Sequence, residues 1–323
     1  ITDTGNVAAT VLSAIGNTTG GTVTATGAIT ITGTTEEITN ALVTESKLVV
    51  ASNASAAVTF VGSNPTGAEL AAINPKVSGT ITLANTGQNF AGTATQLAAA
   101  FNGFGTNALS GAITINAGTI SATELKTISD VTSGAITLPQ TDFALEGSSA
   151  DIADALSGNF TGYDGAITLT DASPTPANLK IINDASAGTI TLNDNAATFT
   201  GSAAVMKAVF DGGLEGTQTG NVTISDTSGT IAATRLSAIG EQTNGTVTAT
   251  GAITITGTTE EITNALVTES SKVVASNSSA VLSNNATITE IGNIISKVSS
   301  ATYSLSDTAS NIDSATTSVL NGA

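Results

Sequence analysis

The 323-residue chain has no cysteine, no histidine and no tryptophan, a single methionine and two tyrosines. Without cysteine there is no disulfide framework and no thiolate metal ligand. Without cysteine or histidine a Ser-His or Cys-His nucleophile pair cannot be assembled, and neither can a histidine-ligated zinc or iron site. Paired carboxylates remain for glycoside hydrolysis, but sugar clefts normally carry aromatic platforms, and aromatics make up only 3% of the chain. The expectation is a non-enzyme, with no catalytic, cofactor-binding or metal-binding residue assigned.

Basic residues are scarce as well: 8 against 25 acidic ones, a net charge of −17. Nucleic acid is excluded as a partner, because phosphates would have to be neutralised by lysine and arginine. Docking on an anionic bilayer is excluded for the same reason. No apolar run approaches the roughly 18 residues of a membrane span, so membrane insertion is not expected. Charged residues make up 10% and hydrophobic ones 40%, the reverse of a disordered composition. That apolar fraction is Ala, Val, Ile and Leu, so the core must be thin.

What the chain does contain is a repeat. Leu-x-x-Ile recurs at Leu12/Ile15, Leu70/Ile73, Leu125/Ile128, Leu179/Ile182 and Leu236/Ile239, with Ile291/Ile294 as a variant. The period of about 55 residues signals stacked supersecondary units, here 1–55, 56–110, 111–164, 165–219, 220–278 and 279–323. Residues 21–46 and 245–270 are identical over 26 positions, which marks growth by duplication.

Each unit opens with an alternating strand: Ala57-Val58-Thr59-Phe60, Ala112-Ile113-Thr114-Ile115, Ala166-Ile167-Thr168-Leu169 and Asn221-Val222-Thr223-Ile224. Period-two alternation places the aliphatic residues inward and threonine outward. A short helix follows, started by capping-box pairs Thr66/Glu69, Ser121/Glu124 and Thr287/Glu290, or by Thr175-Pro176 with proline at the first helical position. A second strand begins after Gly79, Gly134, Gly188 and Gly245. A second helix starts at Thr34/Glu37, Thr93/Gln96, Ser148/Asp151 and Thr258/Glu261. Apolar pairs four apart (Ile38/Leu42, Leu97/Phe101, Ile152/Leu156, Met206/Phe210, Ile262/Leu266) give it a buried face. Ile31, Phe90, Phe143, Phe199 and Ile255, just before these helices, are expected to plug the core. The predicted fold is an α/β repeat solenoid of either hand, in one body, with parallel strands alternating with short helices in coils of about 27 residues.

Calcium is the one cation this composition admits, since hard cations need several oxygen ligands. Asp164 and Asp171 flank one strand, and Asp184 and Asp194 the next, with Asn183, Asn193 and Asn195 nearby. These positions do not recur in every unit, and solvated turns and caps account for them more simply. Tyr163-Asp164 beside Phe160 is the one localised aromatic and acidic cluster. Thr22, Thr24, Thr26, Thr30 and Thr32 place hydroxyls on one strand face, which would suit ordered water or O-linked sugar; threonine also simply favours exposed strand faces. Seven Asn-x-Ser/Thr sequons, at Asn17, Asn53, Asn159, Asn221, Asn244, Asn277 and Asn285, admit glycans. Gly212-Gly213 and Gly103-Phe104-Gly105 lack the lysine of a phosphate loop and read as turns.

Residues 115–128 (INAGTISATELKTI) and 147–156 (GSSADIADAL) resemble repeats in very large cell-surface proteins of cyanobacteria and other aquatic bacteria. These include giant surface proteins associated with swimming in marine unicellular cyanobacteria. The resemblance implies a secreted, extracellular repeat protein with a layer-forming, filament-forming or adhesive role and no catalytic residues to carry over. The chain opens on Ile1, and residues 1–4 match the end of a strand in a later unit, so a processed or excised piece is expected. With no polar cap at either end, head-to-tail self-association into a filament, layer or sheath is expected. An adhesin segment binding sugar, ice or a host surface, stiffened by calcium, is the alternative.

Overall fold

The computed structural model describes residues 1–19, 21–44, 49–51, 57–62, 64–106, 108–116, 120–138, 143–158, 160, 163–268 and 273–322. The chain forms two compact units, Ile1–Gly147 with Asp151–Gly165, and Ser148–Ala150 with Ala166–Ala323. The helices are α1 (Ala9–Thr18), α2 (Thr35–Thr39), α3 (Gly67–Ile73), α4 (Ala94–Phe101), α5 (Ala122–Val131), α6 (Ser149–Leu156), α7 (Pro176–Ala185), α8 (Ala203–Phe210), α9 (Ala233–Glu241), α10 (Thr259–Leu266), α11 (Ile288–Ile295), α12 (Ala309–Asp313) and α13 (Thr317–Leu320).

Helix starts follow the local code. Complete capping boxes close at Thr34, Thr66, Thr93, Ser121, Thr258 and Thr287, each cap stabilising its helix by about 1 kcal/mol. Thr175 accepts from the Asn178 amide at 3.2 Å, with Pro176 behind it. Helices this short are marginal in water and persist by packing. The Leu-x-x-Ile pairs supply that packing: Leu70, Ile73, Leu125, Ile128, Leu179, Ile182, Leu236, Ile239, Ile291 and Ile294 are all fully buried.

One pair departs from this expectation. Leu12 is buried, but Ile15 is 40% exposed and Val11 beside it 50%. α9 packs between α8 and α10, whereas α1 packs against α2 and leaves its outer face to solvent.

Strands are short, and all the pairings described are parallel. In the first unit Gly5–Ala8, Ile29–Gly33, Ala57–Phe60 and Ile81–Thr82 form one sheet, Val23–Thr24 pairs with Val49–Val50, and Phe90–Gly92, Ile113–Ile115 and Ile136–Thr137 form another. In the second unit Ile167–Leu169 pairs with Ile190–Thr191. Phe199–Gly201, Val222–Ile224, Val247–Ala249 and Val273–Val274 form a four-stranded sheet, as do Thr230–Ala232, Thr254–Gly257, Ser279–Ala286 and Ser300–Leu305.

The sheets are shorter than a simple strand–helix–strand–helix unit predicts, because two periods compete. From α3 to α8 the helices start at residues 67, 94, 122, 149, 176 and 203, a step of 27 or 28. The ladder Phe90, Ile113, Ile136 advances by only 23 residues per step. Phe90 therefore stands four residues ahead of α4, Ile113 nine ahead of α5 and Ile136 thirteen ahead of α6. A ladder that slips against the helices cannot continue indefinitely, and a new sheet starts on a strand directly before a helix, as at Phe90–Gly92 and Phe199–Gly201.

The expected plugs are thus strand residues, and Ile31, Phe90, Phe199 and Ile255 are buried in that role. Phe143 is not: Leu145, in the strand Leu145–Gly147, takes the buried position. Phe143 is half-buried and meets the Tyr163 ring edge-on at 5.3 Å.

Glycine sets the approach of successive half-repeats. A Cβ on Gly134 would lie 2.2 Å from the Gly111 carbonyl oxygen, and one on Gly245 2.2 Å from that of Gly220. The Thr132 and Thr243 hydroxyls donate to the same two carbonyls at 3.0 and 2.7 Å, and each accepts from the amide of Gly134 or Gly245 at 2.9 Å. A threonine two residues before the glycine thus locks backbone to backbone where no side chain fits.

Candidate functional site

Of the side chains that the sequence offers to calcium, Asp171 and Asn183 meet helix ends of a neighbouring half-repeat, and Asp226, Asn284, Asp307 and Asn74, which it does not offer, are used in the same way. Asp171 accepts from the Ser149 amide at 2.9 Å and from its hydroxyl at 2.6 Å. Asp226 accepts from the Ala203 amide at 2.7 Å. Asn284 accepts from the Thr259 amide and hydroxyl at 2.7 and 3.0 Å, and Asp307 from the Ile288 amide at 3.0 Å. Ser149, Ala203, Thr259 and Ile288 are all first residues of helices. An oxygen from the following half-repeat therefore fills the positive end of each helix, where anions are favoured and amides lack intrahelical partners.

Opposite helix ends are served from the preceding half-repeat. Asn183 donates to the Ala208 and Val209 carbonyls at the end of α8, at 3.2 and 3.0 Å. Asn74 does the same for Ala99 and Ala100 at the end of α4, at 2.9 and 3.3 Å.

The remaining residues offered to calcium are dispersed. Asp184 pairs with Lys180 one turn away on α7. Asp194 accepts from the Ala196 amide in its own turn at 2.8 Å, Asn193 donates to the Thr170 carbonyl at 3.1 Å, and the Asn195 carbonyl accepts from the Thr219 amide at 2.7 Å. Asp164 is exposed. Among the described residues, no group of three or more acidic residues converges in a way that could hold a metal ion.

Tyr163 does not form a binding platform with Asp164 and Phe160. Its ring is buried, its hydroxyl donates to the Phe143 carbonyl at 2.7 Å, and burial, reinforced by the Asp164 charge, pushes its pKa well up. It works as a core plug with a satisfied hydroxyl.

Threonines form rungs on outward strand faces. Thr200, Thr223 and Thr248 are in register, as are Thr32, Thr59 and Thr82, and the two-rung pairs Thr114/Thr137 and Thr168/Thr191. Neighbouring rungs stand about 4.8 Å apart. Val274 ends the first array, and Thr24 faces Val50 in the sheet at the start of the chain. The arrays are therefore interrupted.

Open grooves lie on the outside. One of about 620 Å³ runs past Asn74, Val77, Thr80, Asn102 and Gly103, with no ionisable side chain in its lining. Of the sequons, Asn17, Asn221, Asn244, Asn277 and Asn285 are exposed. Asn221 accepts from the Thr246 amide at 2.8 Å, and Asn277 donates to the Thr250 carbonyl at 3.2 Å. Asn53 and Asn159 lie outside the described residues. No helix among the described residues is long and apolar enough to cross a membrane.

The seam caps Asp226, Asn284 and Asp307 and the asparagines Asn74 and Asn183 do not stand out as caps in the sequence. A signal is present, an Asp or Asn some 19 to 25 residues after a helix start. No family model, no curated protein and no solved structure matches the chain.

Proposed function

We propose that the chain is a non-enzymatic structural segment of an extracellular assembly, a filament, surface layer or sheath. Its half-repeats stack head to tail as coils of one α/β solenoid. The observation that carries this reading is where the polar side chains are used. Asp171, Asp226, Asn284 and Asp307 cap helices of the neighbouring half-repeat, so the groups that a binding or catalytic site would recruit hold the stack together. Scarce aromatics, the acidic surface and the resemblance to giant surface proteins support an extracellular place.

Negative-stain microscopy of native material, with and without a chelator, tests the reading. Filaments or sheets that survive chelation are expected. Isolated monomers in native salt and calcium would sink it. The adhesin reading draws on the threonine rungs Thr200, Thr223 and Thr248, and replacing Thr223 and Thr248 with Val should abolish surface attachment only if that reading holds.

A further inference from the structure

In each unit an outward threonine column turns to valine. Thr200, Thr223 and Thr248 are followed by Val274, which is 47% exposed, and Thr24 faces Val50, which is 37% exposed. A single exposed valine needs no explanation. Val274, however, lines an open groove of about 610 Å³ together with Leu266, Val267 and Val273. Thr246 enters the lining from the preceding half-repeat, and Ser296 and Lys297 from the following one. α12 and α13 come later still, so the groove is a side wall of the second unit and not an end face.

Lys297 is the one charged residue in the lining among the described residues. Cations are scarce in this chain, 8 against 25 acidic residues, and Lys126, Lys180 and Lys207 each pair with an aspartate four residues on. Lys297 is exposed and makes no ion pair among the described residues. An aliphatic groove thus carries one unneutralised ammonium.

The same set recurs in the first unit. Thr22, Leu42, Val43, Val49 and Val50 correspond in order to Thr246, Leu266, Val267, Val273 and Val274, and Lys76 to Lys297. Val49, Val50 and Lys76 lie outside the 26 identical residues, so the exposed valine and the lysine accompany each other beyond the exact copy. Lys76 is likewise exposed and without an ion pair among the described residues.

We infer that the groove of the second unit binds an apolar chain ending in a carboxylate, the chemistry of a fatty acid. The acyl chain lies along Leu266, Val267 and Val274, and the carboxylate meets the Lys297 ammonium in a charge-assisted hydrogen bond. Ligand grooves are built this way, with apolar walls and one or two polar groups that fix orientation. No aromatic ring lines the groove to stack on a sugar or a base. This inference goes beyond the stacking reading and does not depend on it.

A titration of the 323-residue chain with decanoate, followed by NMR at the Val274 and Leu266 methyls, tests the site. Saturable shifts at both residues are expected. Octanoate should bind about fifteenfold more weakly, because each buried methylene is worth about fourfold. Lys297→Met should weaken decanoate about tenfold and leave decanol unchanged, while Val274→Asp should abolish decanoate binding by placing a carboxylate on the floor. Both substituted side chains are exposed, and circular dichroism verifies that the variants fold. Absence of saturable shifts at these methyls would overturn the site. Equal binding of decanoate and decanol, indifferent to Lys297→Met, would overturn recognition of the carboxylate. Shifts produced by an extended Val-Leu-Glu peptide but not by decanoate would give the groove to a protein partner and overturn the acyl ligand. The stacking reading is judged separately, by microscopy of native material.

Discussion

Residues 21–46 and 245–270 have the same sequence, yet the two stretches fold differently. Both start their helix with the same capping box: Glu37 to Thr34 at 3.3 Å, Glu261 to Thr258 at 3.2 Å. They diverge afterwards. α2 ends at Thr39 and the chain widens into a π-helix over Asn40–Thr44, whereas α10 remains α-helical to Leu266. The second copy confines the wide turn to its last bond, from the Thr268 amide to the Thr263 carbonyl at 3.0 Å. Thr39 and Thr263, the same residue in the two copies, both bury a hydroxyl with no hydrogen-bond partner.

The 26 residues thus carry a cap and a tendency to open at the far end, and the neighbours decide how far it opens. α10 is fixed at its first residue by Asn284 and packs against the eight-residue strand Ser279–Ala286. The counterpart strand in the first copy is described over Ala57–Phe60.

The largest contrast should come from the matched isoleucines. Ile239→Ala leaves a cavity in a filled core and should cost about 2–5 kcal/mol, while Ile15→Ala should cost less than about 1 kcal/mol. Urea unfolding of the two variants checks this, and equal costs would mean that the α1 face is covered in solution. The matched glycines come next. Gly245→Ala drives a methyl into the Gly220 carbonyl and should cost about 3 kcal/mol, whereas at Gly21, in the same place in the repeat, a methyl would meet nothing within 4 Å. Thermal unfolding should therefore shift for Gly245→Ala alone.

Asn284→Ala strips the buried Thr259 amide of its acceptor, leaving the Thr259 hydroxyl only the Asn285 carbonyl at 3.3 Å, and should cost about 1–3 kcal/mol. If Asn284 is what keeps α10 regular, amide exchange in this variant should show the wide turn spreading back from Thr268 toward Thr263. An unchanged pattern would assign the regular winding to the strand instead.

Acid should have the smallest effect. Backbone and hydroxyl hydrogen bonds from Thr287 lower the Glu290 pKa, and the Ile288 amide, with Asn311 and Thr308, lowers that of Asp307. Carboxylates with depressed folded values add stability above their unfolded values, and it is lost as pH falls through the folded ones, below about pH 4. Exchange at the Ile288 amide should accelerate over that range, and Asp307→Asn should remove much of the pH dependence.

Much of the fold is legible because its signals are local. The caps at Thr66, Ser121 and Thr287 depend on a spacing of three residues, and the strand at residues 57–60 on alternation. Phe143 misleads because composition favours the larger ring as a plug, while position in the strand favours Leu145. The slip of 23-residue ladders against 27-residue helices is not legible, since a sequence repeat reports only the longer period. The candidate site fares likewise: Asp171 and Asn183 stand out as oxygen-rich turns, but their partners lie 22 and 25 or 26 residues away across a seam.

The sequence by itself determined the repeat, the helix starts, the outward threonines and the exclusion of thiol and imidazole chemistry. All of these follow from residue identity and spacing along one segment. Only the tertiary structure decided which aspartates cap which helices, where each sheet stops, and that Ile15 meets solvent while Ile239 does not. Each of these depends on the half-repeat packed alongside, and identical residues behave differently when that neighbour changes.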